Sequence, residues 1–191
     1  MKTLIHGMVS IVMSGIIFVL MQSCGKIQVS RDVRKFVGTE IVFPSELQYI
    51  HGTNNYYNPK DTPVASVVYW FDENECNICK LSNLGITRKL FDFCRDSVSS
   101  VNIRIVFTPS FEKKDLFLEF IENSESEFPI YVDRNNSFGT TNPTIPKIRS
   151  FHAFLLDNQN RVILVGDPLM NEKMWSLYIT ALKTISSNSK K

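Results

Sequence analysis

The sequence predicts an α/β fold, a central mixed β-sheet flanked by helices, and a few stretches carry that prediction. "VASVVYWF" (residues 64–71) and "VNIRIVFTP" (101–109) are continuous apolar runs rich in β-branched and aromatic residues, as in strands buried on both faces, and a helical stretch separates them. Further on, "FHAFLLD" and "RVILVGDP" flank the turn residues "NQN" and read as a hairpin.

Taken in chain order, residues 25–36 are polar and unpatterned, as expected of a tether that joins no core. Residues 37–50 hold short apolar pieces, "EIVF" and "LQYI", around Pro44, and predict one or two N-terminal strands. "HGTNNYYNPKDTP" (51–63) is dense in Gly, Asn and Pro and predicts a loop, in which Tyr56 and Tyr57 either pack on the loop itself or meet a partner. After the first buried strand a helix is expected from near Cys76 to near Cys94. "FEKKDLFLEFIENS" places Leu116, Phe117, Phe120 and Ile121 on one face of a second, amphipathic helix. "FPIYVD" is a short extended piece, followed by the loop "RNNSFGTTNPTIP". The final helix spans 171–187, with Met174, Tyr178, Leu182 and Ile185 at helical spacing, and no internal repeat is visible.

The N-terminus sets the compartment. Lys2 precedes an apolar run over residues 8–21 and then "QSCGK". Such a run is shorter than the roughly 20 residues that span a bilayer as a helix, so residues 1–23 read as a secretory signal. Ser23 before Cys24 resembles the lipobox of bacterial lipoproteins, in which the cysteine is acylated and becomes the mature N-terminus, although Met21 and Gln22 fit that pattern loosely. The alternative is an ordinary cleaved signal with a stray thiol at Cys24. The organisation expected is a signal (1–23), a tether (24–36) and one domain (37–191). Loss of the signal leaves 20 Lys and Arg against 19 Asp and Glu, with no polybasic tract beyond Lys190 and Lys191, so nothing points to nucleic acid. A hydrophobic content of 43% with 14 phenylalanines suits a globular core. Three cysteines remain after Cys24, too few for a disulfide scaffold, so any disulfide is expected to be chemical rather than structural.

Cys76 and Cys79, separated by Asn77 and Ile78, fall where the first buried strand meets the first helix. A pair so spaced can be a redox dithiol, half of a zinc site, or two inert core thiols. Zinc needs two further ligands, and the mature chain offers only Cys94, His51 and His152, without a second Cys-x-x-Cys or Cys/His pair; no metal or cofactor is expected. Cys94 lies 18 residues after Cys76. On a continuous helix it shares the face of Cys76 but lies roughly 27 Å along the axis. That is far outside the approximately 7 Å a disulfide allows between Cα atoms. Cys94 therefore reads as a buried helix-end thiol.

The order strand, helix, strand, helix, strand, strand, helix, with Cys-x-x-Cys between the first strand and helix, resembles the thioredoxin fold. Within it the chain is similar to the extracytoplasmic TlpA/ResA-type thioredoxin-like lipoproteins over residues 41–185. "YWFDENECNICKL" matches the strand-to-cysteine approach, and "FHAFLLDNQNRVILVGDP" resembles the hairpin that the family writes as Pro-Thr-x-Phe-Leu-Ile-Asp, turn, strand, Gly. The resemblance implies thiol-disulfide exchange by Cys76 and Cys79 in a lipid-anchored, periplasm-facing protein. It would act as a reductant on protein thiol/disulfide clients and be served by a membrane or periplasmic electron donor. It further implies that Cys76, at the helix N-terminus where unpaired backbone N–H groups favour a thiolate, is accessible and attacks first. Cys79, one turn further in, is then more buried and resolves the mixed disulfide.

Departures from the family pattern shape further expectations. Glu75 stands where Trp usually precedes the first cysteine, and with Asp72 and Glu73 it opposes a Cys76 thiolate, which makes the dithiol a better reductant. Trp70 occupies the position of thioredoxin's buried acid, and Ser82 that of the ResA-type Glu. The family's cis-proline falls at Phe151, with Pro143 and Pro146 upstream. Phe151 and His152 are thus expected to face the dithiol and, with Glu75, to border a client groove. The competing reading is a redox-inactive thioredoxin-fold lipoprotein acting as a binding module; a metal carrier using both thiolates is the third.

Overall fold

The computed structural model describes residues 29, 31–50, 52, 62–98, 100–124, 126 and 128–188. The expected signal and Cys24, with His51, Tyr56 and Tyr57 of the long loop, lie outside the described residues. Phe36–Lys191 form one compact unit. Phe36 was expected in a tether that joins no core. Instead it closes a helical stretch over residues 31–36 and is fully buried, its ring meeting Phe154 edge-on at 5.2 Å.

The strands are β1 (Gln48–Ile50), β2 (Ala65–Phe71), β3 (Val101–Phe107), β4 (Ile130–Val132), β5 (Ala153–Asp157) and β6 (Val162–Val165). They form one six-stranded sheet in the order β1-β4-β3-β2-β5-β6. β2 runs parallel to β3 from Ala65 opposite Val101 to Phe71 opposite Phe107, and antiparallel to β5 from Ala65 opposite Asp157 to Tyr69 opposite Ala153. β3 and β4 are parallel, while β5 pairs antiparallel with β6 and β1 with β4. The helices beyond β1 are α1 (Asn77–Ser82), α2 (Arg88–Ser97), α3 (Lys114–Asn123), α4 (Ser137–Thr141) and α5 (Glu172–Asn188), with 3₁₀ turns at Leu84–Thr87, Phe111–Lys113 and Arg149–Phe151. A parallel β2–β3 pair, an antiparallel β5–β6 hairpin beside β2, and the Cys-x-x-Cys pair at the end of β2 make this a thioredoxin-like fold. Among the described residues no helix is long and apolar enough to cross a membrane.

Alternation along β2 divides the core. Val67 and Tyr69 face a layer holding Leu90, Cys94, Phe117, Tyr178 and Leu182, whereas Val68 faces Phe36, Phe138 and Phe154 on the opposite side. Each such large apolar side chain contributes about 1.5–3 kcal/mol on burial, which fixes β2 as the rigid element from which the cysteine segment hangs.

Three local expectations fail for identifiable reasons. The helix from Cys76 to Cys94 is broken: the Asn83 side chain donates to the Cys79 carbonyl at 2.8 Å, and a 3₁₀ turn follows before α2 begins. Because 3₁₀ winding has about 3.0 residues per turn rather than 3.6, the faces fall out of phase. Cys76 is exposed while Cys94 is buried, so the shared face is lost. On α3 only Phe117 and Ile121 are fully buried, and Leu116, one residue off their i, i+4 line, is 57% exposed. The loop after β4 contains α4, whose first turn is held by Asp133: its buried carboxylate accepts from the Ser137 and Phe138 N–H groups and the Ser137 hydroxyl.

Candidate active site

β2 delivers the chain into a tight turn in which the Glu75 N–H donates to the Asp72 carbonyl and the Asn74 N–H to the Asp72 carboxylate. Cys76 then caps α1, its Sγ accepting the Cys79 N–H at 3.4 Å. The spacing of three brings the cysteine Cα atoms to 5.2 Å, and the two sulfurs are joined in a disulfide. The buried side of α1 is Asn77 and Leu81, one turn apart, with Asn77 Nδ2 donating to the Thr108 carbonyl at 2.9 Å. That anchoring turns positions 76, 79 and 80 outward. Cys79, expected to be the buried partner, is as much on the surface as Cys76.

The disulfide borders a cavity of about 450 Å³. Glu75, Cys76 and Lys80 form one side, Arg149 and His152 the other, and Tyr69 and Trp70 also line it. The Glu75 side chain is only 8% exposed, with Oε2 3.3 Å from Lys80 Nζ. Glu73, counted with it among the acids opposing Cys76, instead accepts a hydrogen bond from Asn136 Nδ2. Arg149 ties the two sides together by donating to the Asn74 carbonyl at 2.9 Å. The turn before β5 places His152 on the cavity, whereas Phe151 is half-buried and is not among the residues that line it. Pro146, upstream of that turn, meets the site through its carbonyl, 3.0 Å from His152 Nε2. No cis peptide bond occurs among the described residues.

His152 is buried, and burial pulls its pKa below the ordinary 6.5; the Pro146 carbonyl, Asp72 and Glu75 oppose that pull, and Arg149 adds to it. Trp70 lies against its ring with centroids 4.6 Å apart, and through Nε1 donates to Thr108 Oγ1, which in turn bonds the Asp133 carboxylate. The indole at thioredoxin's acid position thus connects to a buried acid elsewhere, one already committed to capping α4. Tyr69 donates its hydroxyl to Asp167 at 3.0 Å, and burial first of all, then Asp167, raises its pKa far above the ordinary value. Lys80, Arg149 and Asp167 were not singled out in the sequence. Asp167 directly follows the Gly166 of the hairpin motif, a usable signal; Arg149 and Lys80 carry none.

Cys94 remains a free thiol in the core, where burial pushes its pKa up to about 12. It is not part of the site. Among the described residues no three His, Cys, Asp or Glu side chains gather as a metal site would require.

No family model matches the sequence, and no curated protein does. Solved structures similar in outline include a protein assigned to the DsbE thiol:disulfide interchange proteins from Chlorobium tepidum (13% identity, 76% of this chain and 97% of that one, TM-score 0.48). Others are the thioredoxin domain of a thiol-disulfide oxidoreductase from Bacteroides vulgatus (12%, 76% and 97%, 0.47) and AhpC from Enterococcus faecalis (9%, 82% and 97%, 0.45). The class assignment rests on strand order and on the position of the disulfide.

Proposed function

We propose that this chain exchanges thiols and disulfides with protein clients through Cys76 and Cys79, in the reductive direction. The observation that carries the reading is an exposed disulfide at the edge of a groove, with Cys76 Sγ already accepting the Cys79 N–H. Once the bond is reduced, that N–H steadies a Cys76 thiolate and makes Cys76 the attacking group. α1 has six residues, so this is a contact with one local donor rather than the pull of a long helix dipole.

The Cys76 thiolate attacks one sulfur of a client disulfide, the other client sulfur leaves, and a mixed disulfide forms. Cys79 then attacks Cys76 Sγ and displaces the client's second sulfur. Two electrons pass to the client, the Cys76–Cys79 bond re-forms, and a dithiol donor restores the reduced state. One feature favours the reductive direction and another favours a protein client. The Glu75 carboxylate is turned into the groove beside Cys76, and it occupies Lys80, the cation closest in sequence, so the thiolate of the reduced form gains little from either. Cys76 also borders a second depression whose rim carries Phe111, 89% exposed, an apolar contact for a client chain. The proposal extends to placement: lipid on Cys24 of "MQSCG" would hold the domain at a membrane facing the periplasm, where its clients and donor would be found.

Thiol counting on folded protein across a graded glutathione series tests this. Two thiols should appear together at one midpoint while buried Cys94 stays unreactive. A pair locked in one state across the series would leave the binding-module reading in its place.

A further inference from the structure

His152 lines the cavity that Cys76 borders, with one ring nitrogen satisfied and the other not. Nε2 lies 3.0 Å from the Pro146 carbonyl, and a carbonyl only accepts, so Nε2 carries the hydrogen. The neutral ring therefore presents a bare lone pair at Nδ1. That atom is buried without a hydrogen-bond partner, in a side chain only 4% exposed. The groups facing it are two carboxylates, Asp72 Oδ2 and Glu75 Oε1, each 4.0 Å away. Three electron-rich atoms converge, and a proton on Nδ1 turns that arrangement from repulsive to attractive. Burial disfavours the charged ring, and the two carboxylates offset part of that cost once a proton arrives.

The surrounding groups leave it as the acceptor for the dithiol. Lys80 on α1 and Arg149 on the turn before β5 are cations, and Lys80 is paired with Glu75. Tyr69 on β2 and Asp167 after β6 are bonded to each other. Glu73 and Lys147 line a separate cavity on which Trp70 and His152 also open. Glu75 is held by Lys80, and Glu73, Glu112 and Lys113 line the second depression that Cys76 borders, whereas His152 Nδ1 is a buried acceptor without a partner on the cavity that Cys76 shares.

We infer that His152 Nδ1, flanked by Asp72 and Glu75, takes the proton of the reduced Cys76 thiol and returns it to the sulfur that leaves the client; this rests on the exchange reading above. The Cys76 S–H bond breaks, its proton forms an N–H bond at Nδ1, and the electron pair stays on Sγ. Attack by that thiolate breaks the client S–S bond and forms the mixed disulfide, and the departing client sulfur takes the proton from Nδ1. Cys79 then displaces the second client sulfur, its own thiol proton passing to that sulfur. The dithiol gives up two electrons and two protons, the client disulfide gains both, and the imidazole ends as it began. Asp72 and Glu75 share the charge of the transient imidazolium, which limits how far it stabilises the thiolate and keeps the pair reducing.

The test is the pH profile of Cys76 alkylation in the fully reduced chain, read by mass spectrometry of the peptide that carries it. The wild-type rate should rise in two steps, the lower one belonging to the coupled Cys76–His152 pair. In His152→Gln, whose amide can still donate to Pro146 but takes no proton, the lower step should vanish and the rate near neutrality should fall about tenfold. Superimposable profiles overturn the inference. Imidazole titration by NMR in the unaltered protein reads the same coupling without a substitution in the core: the His152 pKa should lie about one unit or more higher in the reduced than in the oxidised form. Identical titrations overturn it. Neither measurement involves a client. A chain that shows both effects yet fails to cycle with glutathione would refute the exchange reading and leave the proton transfer in place, and the opposite pairing would refute only the proton transfer.

Discussion

At the scale of single residues, the site is governed by what is buried beside a surface disulfide. Glu75 and His152 are buried side chains that line the groove, while Cys76 and Cys79 are both exposed and Cys76 borders it. The buried histidine has a consequence for stability as well as for chemistry. Burial lowers the folded-state pKa of His152 below 6.5, so between the two values the unfolded chain binds the proton that the folded chain refuses. Folding stability should therefore be fully present above pH 6.5 and decline as the pH falls from there toward the lowered value. Denaturant midpoints of the oxidised protein across that range check this, and His152→Gln should flatten that part of the curve. Glu75 could be assigned to the groove from its place before Cys76. The orphaned Nδ1 could not, because it arises from the Pro146 carbonyl six residues away holding the other side of the ring.

Among the elements, α1 decides which way the cysteines point. It has two buried contacts, Asn77 and Leu81, and Asn77 supplies its side-chain bond to the end of β3. Asn77→Ala should cost about 1–2 kcal/mol through loss of that buried bond, measurable by denaturant unfolding of the oxidised protein. The reduced variant should also show faster alkylation of Cys79 relative to Cys76, since the cap contact from the Cys79 N–H depends on a fixed α1. The sequence shows the apolar period of this region, with Leu81, Leu84, Leu90, Phe91 and Cys94 all buried. It hides the break, because Asn83 captures the Cys79 carbonyl with its own side chain, a local competition that leaves the hydrophobic pattern unchanged. The exposure of Cys79 has a different origin: spacing gives the distance between two cysteines, but only the Asn77 and Leu81 anchor of the helix gives their direction.

For the molecule as a whole, the continuous apolar runs of β2 and β3 and the β5–β6 hairpin were legible because strands buried on both faces leave a pattern that few other structures produce. Phe36 was missed because a single aromatic in a polar stretch has no period, and its partner Phe154 lies more than a hundred residues on. The central claim is that a rigid α/β body presents the Cys76–Cys79 pair for turnover with other proteins. Client trapping tests it most directly. Cys79→Ser removes the resolving sulfur and should accumulate mixed disulfides, seen as thiol-sensitive higher-mass species on non-reducing gels. Cys76→Ser should yield far fewer, and Cys94→Ser should trap no more than the wild type, since that thiol is buried in the core. If Cys79→Ser traps nothing, or if Cys76→Ser traps as much, Cys76 is not the attacking sulfur and the account is contradicted.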